Sequence, residues 1–317
     1  CGGSFGSPLA WNKYGNIDKI HWHFHPVSKS QAAHIPCTSY DNSYPLIHQV
    51  ISRRLIDFDW FPVVNRAGFH SVRQDSNFFL EQWIPIDYSN QSTIENASES
   101  YSEINRFGDW RRAPKEWYPY HPAYDDYQVP GSMNRVTTKC LNIGTRYKLL
   151  TDEEIESAFK YANENGTAIL AYTNHDFRDM KLDIDDVQLR IRKISKKFNN
   201  VEIINSDAVN AIQKTIYKNQ VRFEKVELKL EIKKIANIDC VFVECIKGEI
   251  FGTQPYLAIK DKQNNYYHDN FNEFNHGKSW FYYLDDLTIN LDDIKTIAVA
   301  SNDLYGNQSL KKINPFD

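Results

Sequence analysis

Hydrophobic positions along the chain change their period once, near residue 220. Before that point apolar residues recur at helical spacing, and the helical stretches alternate with short apolar runs. Leu46, Val50, Ile51 and Leu55 fall on one stripe and predict an amphipathic helix over 44–58. Ile155, Phe159 and Ala162 mark a second, opened by Thr151-Asp152-Glu153-Glu154 as a capping box and closed by Gly166. Further helices are predicted near 8–14, over 75–83 with Asp75 as cap, over 183–198, and over 206–217 behind Ser206. Trp60–Val64, Ile84–Tyr88, Thr167–Thr173 and Val201–Ile204 read as short buried strands between them. Such alternation implies parallel strands covered by helices, with functional groups gathered at the strands' carboxyl ends. Residues 89–150 interrupt the rhythm as a loop-rich segment dense in aromatics and proline. Segments of this kind inside a compact domain are functional or disordered, and this one is too aromatic for disorder.

After residue 220 the pattern becomes two-fold. Val226, Leu228, Leu230 and Ile232 alternate, and Cys240–Cys245, Tyr256–Lys260, Trp280–Leu284 and Thr296–Ala300 follow as short strands between Asn, Asp and Gly turns. This predicts an all-β sandwich over 221–317 behind an α/β domain over 1–220. The length of 317 residues suits two domains, and 41% apolar content supplies their cores. In the β part, Trp280, Tyr282, Tyr283 and His268 read as packed core, with a sugar-stacking platform as the alternative.

Composition mainly excludes. A net charge of −4 shows no basic excess, so no nucleic-acid partner is expected. Cys1, Cys37, Cys140, Cys240 and Cys245 form no Cys-x-x-Cys and are irregularly spaced, which argues against a disulfide framework or a cysteine zinc site. No run approaches the roughly 20 apolar residues of a membrane helix, and no signal peptide is visible. Unpaired cysteines then point to the cytoplasm; Cys1-Gly2-Gly3-Ser4 leaves export and lipoprotein anchoring open. Oligomeric state is not indicated.

The chemistry concentrates in Ile20-His21-Trp22-His23-Phe24-His25-Pro26, with three histidines at alternate positions. A strand would put the three imidazoles on one face, whereas an opened turn would bring His21 and His25 together. Neutral imidazoles are ligands for zinc and similar ions, and catalytic sites use three protein ligands and an open position. The alternative is a half-buried aromatic strand with histidines facing water. Arg66 and His175 each follow an apolar run, where the carboxyl-end rule places functional groups.

In this order the residues resemble the polysaccharide deacetylase superfamily, the NodB-like domain of carbohydrate esterase family 4. His21-Trp22-His23-Phe24-His25-Pro26 matches its His-x-x-x-His-Pro motif, whose two histidines bind a divalent metal. Asn65-Arg66-Ala67-Gly68, the helix after it and Ile86-Asp87-Tyr88-Ser89 follow the course of its arginine motif. Ala168–Thr173 and Asn174-His175 match the strand that ends in a histidine, and His121-Pro122-Ala123-Tyr124-Asp125-Asp126-Tyr127 resembles an active-site loop of the branch found with cell-surface polysaccharide genes. The resemblance covers about residues 10–215 and lacks the family's first, Asp-Asp-containing strand; a chain whose first strand lies upstream is the expected reason.

The resemblance implies a distorted (β/α) barrel of the glycoside hydrolase/deacetylase type, followed by the smaller sandwich. It implies a hydrolase of amide or ester bonds that removes acetyl groups from a bacterial cell-surface polysaccharide or its precursor. One divalent ion, zinc first and cobalt, nickel or manganese otherwise, is expected on His21 and His25. His175 is expected to act as general acid, Arg66 to orient the base carboxylate, and His23, His70, Asp126, Tyr127 and Asp176 to line the substrate groove. The missing first motif keeps open a deacetylase-like scaffold that binds carbohydrate, or a glycan-biosynthesis partner, without turnover.

Overall fold

The computed structural model describes residues 9–11, 17–25, 40, 43–94, 108–144, 147–175, 177, 179–217 and 224–316. In chain order its first part holds β1 (Leu9–Trp11), β2 (Ile17–Lys19), α1 (Tyr44–Phe58), β3 (Val64–Asn65), α2 (Gln74–Trp83), β4 (Ile86–Asn90), β5 (Val136–Asn142), α3 (Asp152–Asn165), β6 (Ala171–Thr173), α4 (Met180–Ser195) and α5 (Ala208–Ile216). Strands β3, β4, β5 and β6 pair in that order, all parallel, as a curled half-barrel sheet. The histidine stretch runs beside β3: Trp22 N donates to Val64 O, Arg66 N to Trp22 O and Gly68 N to Phe24 O, each at 2.9 Å. The carboxyl ends of this stretch, β3, β5 and β6 therefore share one rim.

The second part is antiparallel: β7 (Glu227–Ile235), β8 (Ile238–Lys247), β9 (Tyr256–Asp261), β10 (Tyr266–Asp269), β11 (Asn272–Asn275), β12 (Ser279–Tyr283), β13 (Ile294–Asn302) and β14 (Gln308–Ile313). They form two sheets, β10-β9-β13-β14 and β11-β12-β8-β7, which close on one apolar core. That core takes Leu257, Ile259, Ile297 and Val299 from one sheet and Val241, Val243, Trp280 and Tyr282 from the other. The mixed architecture, a parallel sheet followed by antiparallel sheets, is the one the change of period predicts. Trp280 and Tyr282 are core residues, 1% and 7% exposed.

Strand alternation gives β9 and β13 a second buried face. Tyr256, Ala258, Ala298 and Ala300 pack against Ile47, Ile51 and Leu55 of α1 and Leu80 and Trp83 of α2. Three alanines let the helix approach closely, so α1 covers the β part and joins it to the first part in one core. At this seam the rings of His48 and His268 stack, with centroids 4.0 Å apart and an interplanar angle of 8°. Burial is the main reason both are pushed down, His48 to about 3 and His268 to about 4. In His268 the Nδ1–H donates to Leu257 O at 2.8 Å, and in His48 the Nδ1 meets the Tyr256 hydroxyl at 3.0 Å.

Several elements differ from the sequence expectations. Residues 9–11 form a strand, not a helix, and pair antiparallel with 17–19, two short runs close enough in sequence to pair as neighbouring strands. Strand β5 lies inside the segment read as loop. Its Thr137, Thr138 and Lys139 are fully buried, and the polarity that hid the strand is neutralised in place: Lys139 Nζ binds Glu154 Oε2 at 2.6 Å and stands 4.5 Å from the Trp117 ring centre. Residues 201–204 form no strand, and Ile203 and Ile204 are exposed. In α1 the buried stripe is Ile47, Ile51, Ser52, Leu55 and Ile56, while Leu46 faces outward. Asp75 sits in the first turn of α2 rather than at its cap, and Asp179 and Asp207 cap α4 and α5 one position or more from the expected starts.

Candidate functional site

The shared rim brings imidazoles and a guanidinium together from three neighbouring chain segments. His23 and His25 come from the histidine stretch, Arg66 and His70 from the turn after β3, and Asn142 from the end of β5. His175, just past β6, acts electrostatically on His23, His25 and His70. His23 Nδ1–H donates to Arg66 O at 2.7 Å, and the ε nitrogens of His23 and His25 lie 2.9 Å apart. Arg66 Nη2 donates to Asn142 Oδ1 at 3.2 Å and to His70 Nε2 at 3.4 Å. Asn142 in turn donates through Nδ2 to Tyr147 O at 2.8 Å, so one amide ties Arg66 to the loop after β5.

Local backbone features make this approach possible. A Cβ on Gly68 would lie 2.5 Å from His25 Cγ and 2.6 Å from Phe24 O, closer than real Cβ contacts. Only glycine allows the turn to press against the histidine stretch. Phe69 and His70 follow with φ of 51° and 55°, two consecutive non-glycine residues in the left-handed region. Such strain costs on the order of 1–3 kcal/mol per residue and persists only where surroundings enforce it. Here Gly108 N donates to Phe69 O and Trp110 Nε1 to His70 O, both at 2.9 Å. The result sets the Phe69 ring edge-on to His25, 4.6 Å between centres, and buries His70 behind Arg66.

Beneath the rim, Asp87 holds the β3 turn in register. Its Oδ1 accepts from Asn65 Nδ2 at 2.8 Å and from Ser89 Oγ at 2.5 Å; Ser89 Oγ accepts from Ala67 N at 2.8 Å. Its Oδ2 meets Arg135 Nη1 at 3.2 Å, with both side chains fully buried. Burial raises the Asp87 carboxyl above its ordinary range, against the opposing pull of Arg135.

Burial also keeps His23, His25 and His70 neutral. His23 is pushed down to about 4, opposed by its bond to Arg66 O, and His25 and His70 are lowered for the same reason. Neutral His23, with Nδ1–H committed to a carbonyl, presents Nε2 as a lone pair, which is how metal-binding histidines are oriented. Two ligand nitrogens about 2.0–2.1 Å from a tetrahedral zinc ion stand about 3.3–3.4 Å apart, so the 2.9 Å hydrogen bond between His23 and His25 would have to open by a few tenths of an ångström for the two to hold one ion. Among the described residues no group of three or more His, Cys, Asp or Glu has metal-holding geometry. The groups gathered here are the paired His23 and His25 ring nitrogens, the His175 imidazole and the Arg66 guanidinium.

The expected site residues fall into four sets. His23, His25, Arg66 and His175 share the cluster, and His70 lies beneath it as a support for Arg66 rather than on an open surface. His21 sits apart: burial lowers it, and the charges acting on it are those of Lys19 and Asp207. Tyr127 is buried, edge-on to Trp110 at 5.0 Å, and donates to Asp109 O at 2.7 Å; Asp126 pairs with Arg112 and accepts from Gln128 N. Asp176 lies outside the described residues. Asn142 and Gly68 belong to the site without having been singled out; Asn142 was hidden with the rest of β5, and the Gly after Arg66-Ala67 was the available signal for a close approach. Compared with family profiles, curated proteins and solved structures, the chain matches none.

Proposed function

We propose that this protein is a metal-dependent hydrolase that removes acetyl groups from a bacterial cell-surface polysaccharide or its precursor, on a distorted barrel of the deacetylase type. The observation that carries the reading is the convergence of His23, His25, Arg66 and His175 from the ends of the histidine stretch, β3 and β6, three segments that follow the chain order of the motifs resembled. His23 and His25 are the pair that would hold the ion, in place of the His21 and His25 suggested by spacing. Zinc, or cobalt, nickel or manganese, would supply Lewis acidity and a bound water of lowered pKa. His175 would pass a proton to the departing amine or alkoxide. Arg66 would orient the carboxylate that deprotonates the water. Metal content of wild type beside His23→Ala and His25→Ala, with acetate release from acetylated glycans, tests this. One equivalent of metal lost in both variants, together with acetate release, supports the hydrolase; metal-free protein after reconstitution removes it.

A second reading has one observation in its favour. Asp87, the carboxylate whose field reaches Arg66, has its oxygens committed to Asn65, Ser89 and Arg135 and is fully buried. It is poorly suited to serve as the base. A deacetylase-like scaffold that binds carbohydrate without turnover would need no base, and glycan binding with no acetate release is its signature.

A further inference from the structure

A guanidinium set among neutral groups calls for a counter-charge. Arg66 is half-buried at the mouth of the cluster, flanked by the more exposed His23 and His25. Both Nη2 hydrogens go to uncharged acceptors, Asn142 Oδ1 at 3.2 Å and His70 Nε2 at 3.4 Å. The guanidinium also hydrogen-bonds the Cys140 thiol, which is uncharged because burial raises it. Arg66 Nε is sealed from solvent with no hydrogen-bond acceptor, and the same holds for His70 Nδ1. Since His70 Nε2 accepts from Arg66, the neutral ring carries its proton on Nδ1, a second buried donor with no acceptor. Among the described residues no carboxylate pairs with Arg66. Asp87 acts on it only at a distance, and its own charge is matched by Arg135.

Buried polar groups are ordinarily hydrogen-bonded and buried charges paired. One positive charge with no carboxylate partner among the described residues, on a partly exposed planar guanidinium, matches a singly charged, planar acceptor better than a dianionic tetrahedral one. We propose that Arg66, backed by His70 and rimmed by His23 and His25, is a recognition site for a carboxylate group on a ligand. The carboxylate belongs either to a short free acid such as acetate or to an acidic sugar. The inference does not depend on the hydrolase reading, because it needs neither a metal nor turnover.

The test is calorimetric and thermal-shift titration of the chelator-treated 317-residue chain at pH 7, in chloride-free buffer of constant ionic strength. Acetate, a methyl glucuronide, phosphate and sulfate are compared on wild type, Arg66→Gln and Arg66→Lys. Saturable carboxylate binding is expected, weakened at least about tenfold in Arg66→Gln and less in Arg66→Lys, which keeps the charge but not the fork. Tighter binding of the glucuronide would assign the carboxylate to an acidic sugar, and equal or tighter binding of acetate to a short acid; both keep the proposal. It is overturned if wild type binds no carboxylate, if phosphate or sulfate binds as tightly, or if Arg66→Gln binds as wild type does. Should Arg66→Gln fail to fold, the wild-type selectivity series and Arg66→Lys decide. Loss of acetyl hydrolysis would leave all of these outcomes unchanged.

Discussion

Replacing Arg135 by methionine should be far more damaging than a change of similar volume elsewhere, and the reason is Asp87. Arg135 has no exposed side-chain surface; it meets Asp87 Oδ2 at 3.2 Å, Thr137 Oγ1 at 3.0 Å and, through Nε, Asn77 Oδ1 at 3.1 Å. Arg135→Met would leave a buried carboxylate with Asn65 and Ser89 as its remaining donors. Breaking a buried pair from one side costs about 3–5 kcal/mol, a large share of the ~5–15 kcal/mol that holds a domain folded. Asp87→Asn combined with Arg135→Met removes the stranded charge, and the double variant should recover to within about 2 kcal/mol of wild type. Urea denaturation followed by far-UV circular dichroism, with the slope checked for constancy, measures both. The pH dependence has a sign. In Arg135→Met the folded-state pKa of Asp87 lies above its ordinary 3.8, so the defect is full at neutral pH and shrinks as pH falls through that raised value. A single-variant cost below about 1 kcal/mol, or a double variant no better than the single, would refute the idea that ion pairing under the rim holds the β3 turn.

Two further outcomes follow from the same geometry. Gly68→Ala should destabilise by about 1–3 kcal/mol and shift the His25 imidazole resonances, since the new methyl would overlap His25 and Phe24 O; unchanged histidine spectra would contradict the close approach. For the stacked pair at the seam, both folded-state values, about 3 for His48 and about 4 for His268, lie below the ordinary 6.5. Their contribution is therefore complete above pH 6.5 and is lost as pH falls toward about 4, where the unfolded chain binds protons that the fold refuses. In His48→Phe the loss of stability between pH 7 and 4.5 should be smaller by about 1–2 kcal/mol, after allowance for partial exposure; an unchanged slope would show the stack to be irrelevant to acid stability.

Periodicity made much of the architecture legible because it reports burial directly. The helices over 44–58 and 152–165, and the alternating strands after residue 226, carry their cores on regular stripes. The rule that chemistry gathers past parallel strands singled out Arg66 and His175, and both stand at the rim. Polarity misled where it was paired inside: Lys139 and Thr137 look like loop residues until Glu154 and Arg135 are seen to satisfy them. The histidine pairing was not legible, because spacing alone leaves the backbone conformation free. His23 and His25 meet through their ε nitrogens only because Arg66 O fixes the first ring, a contact made 43 residues away along the chain. His70 is similar: two consecutive positive φ angles turn it under Arg66, and nothing in Phe69-His70 announces them.

The alanine-floored sheet under α1 also bears on how the protein is made. His48 and Tyr256 touch across 208 residues of chain, so α1 leaves the ribosome long before the surface it packs on exists. At synthesis rates of about 5–20 residues per second the wait is roughly 10–40 s. Throughout it Ile47, Ile51 and Leu55 have no partner surface from β9 or β13. Nascent chains of this protein should accordingly be chaperone clients until β13 emerges, and a premature stop ahead of it would release a chain whose α1 stripe stays bare on that side.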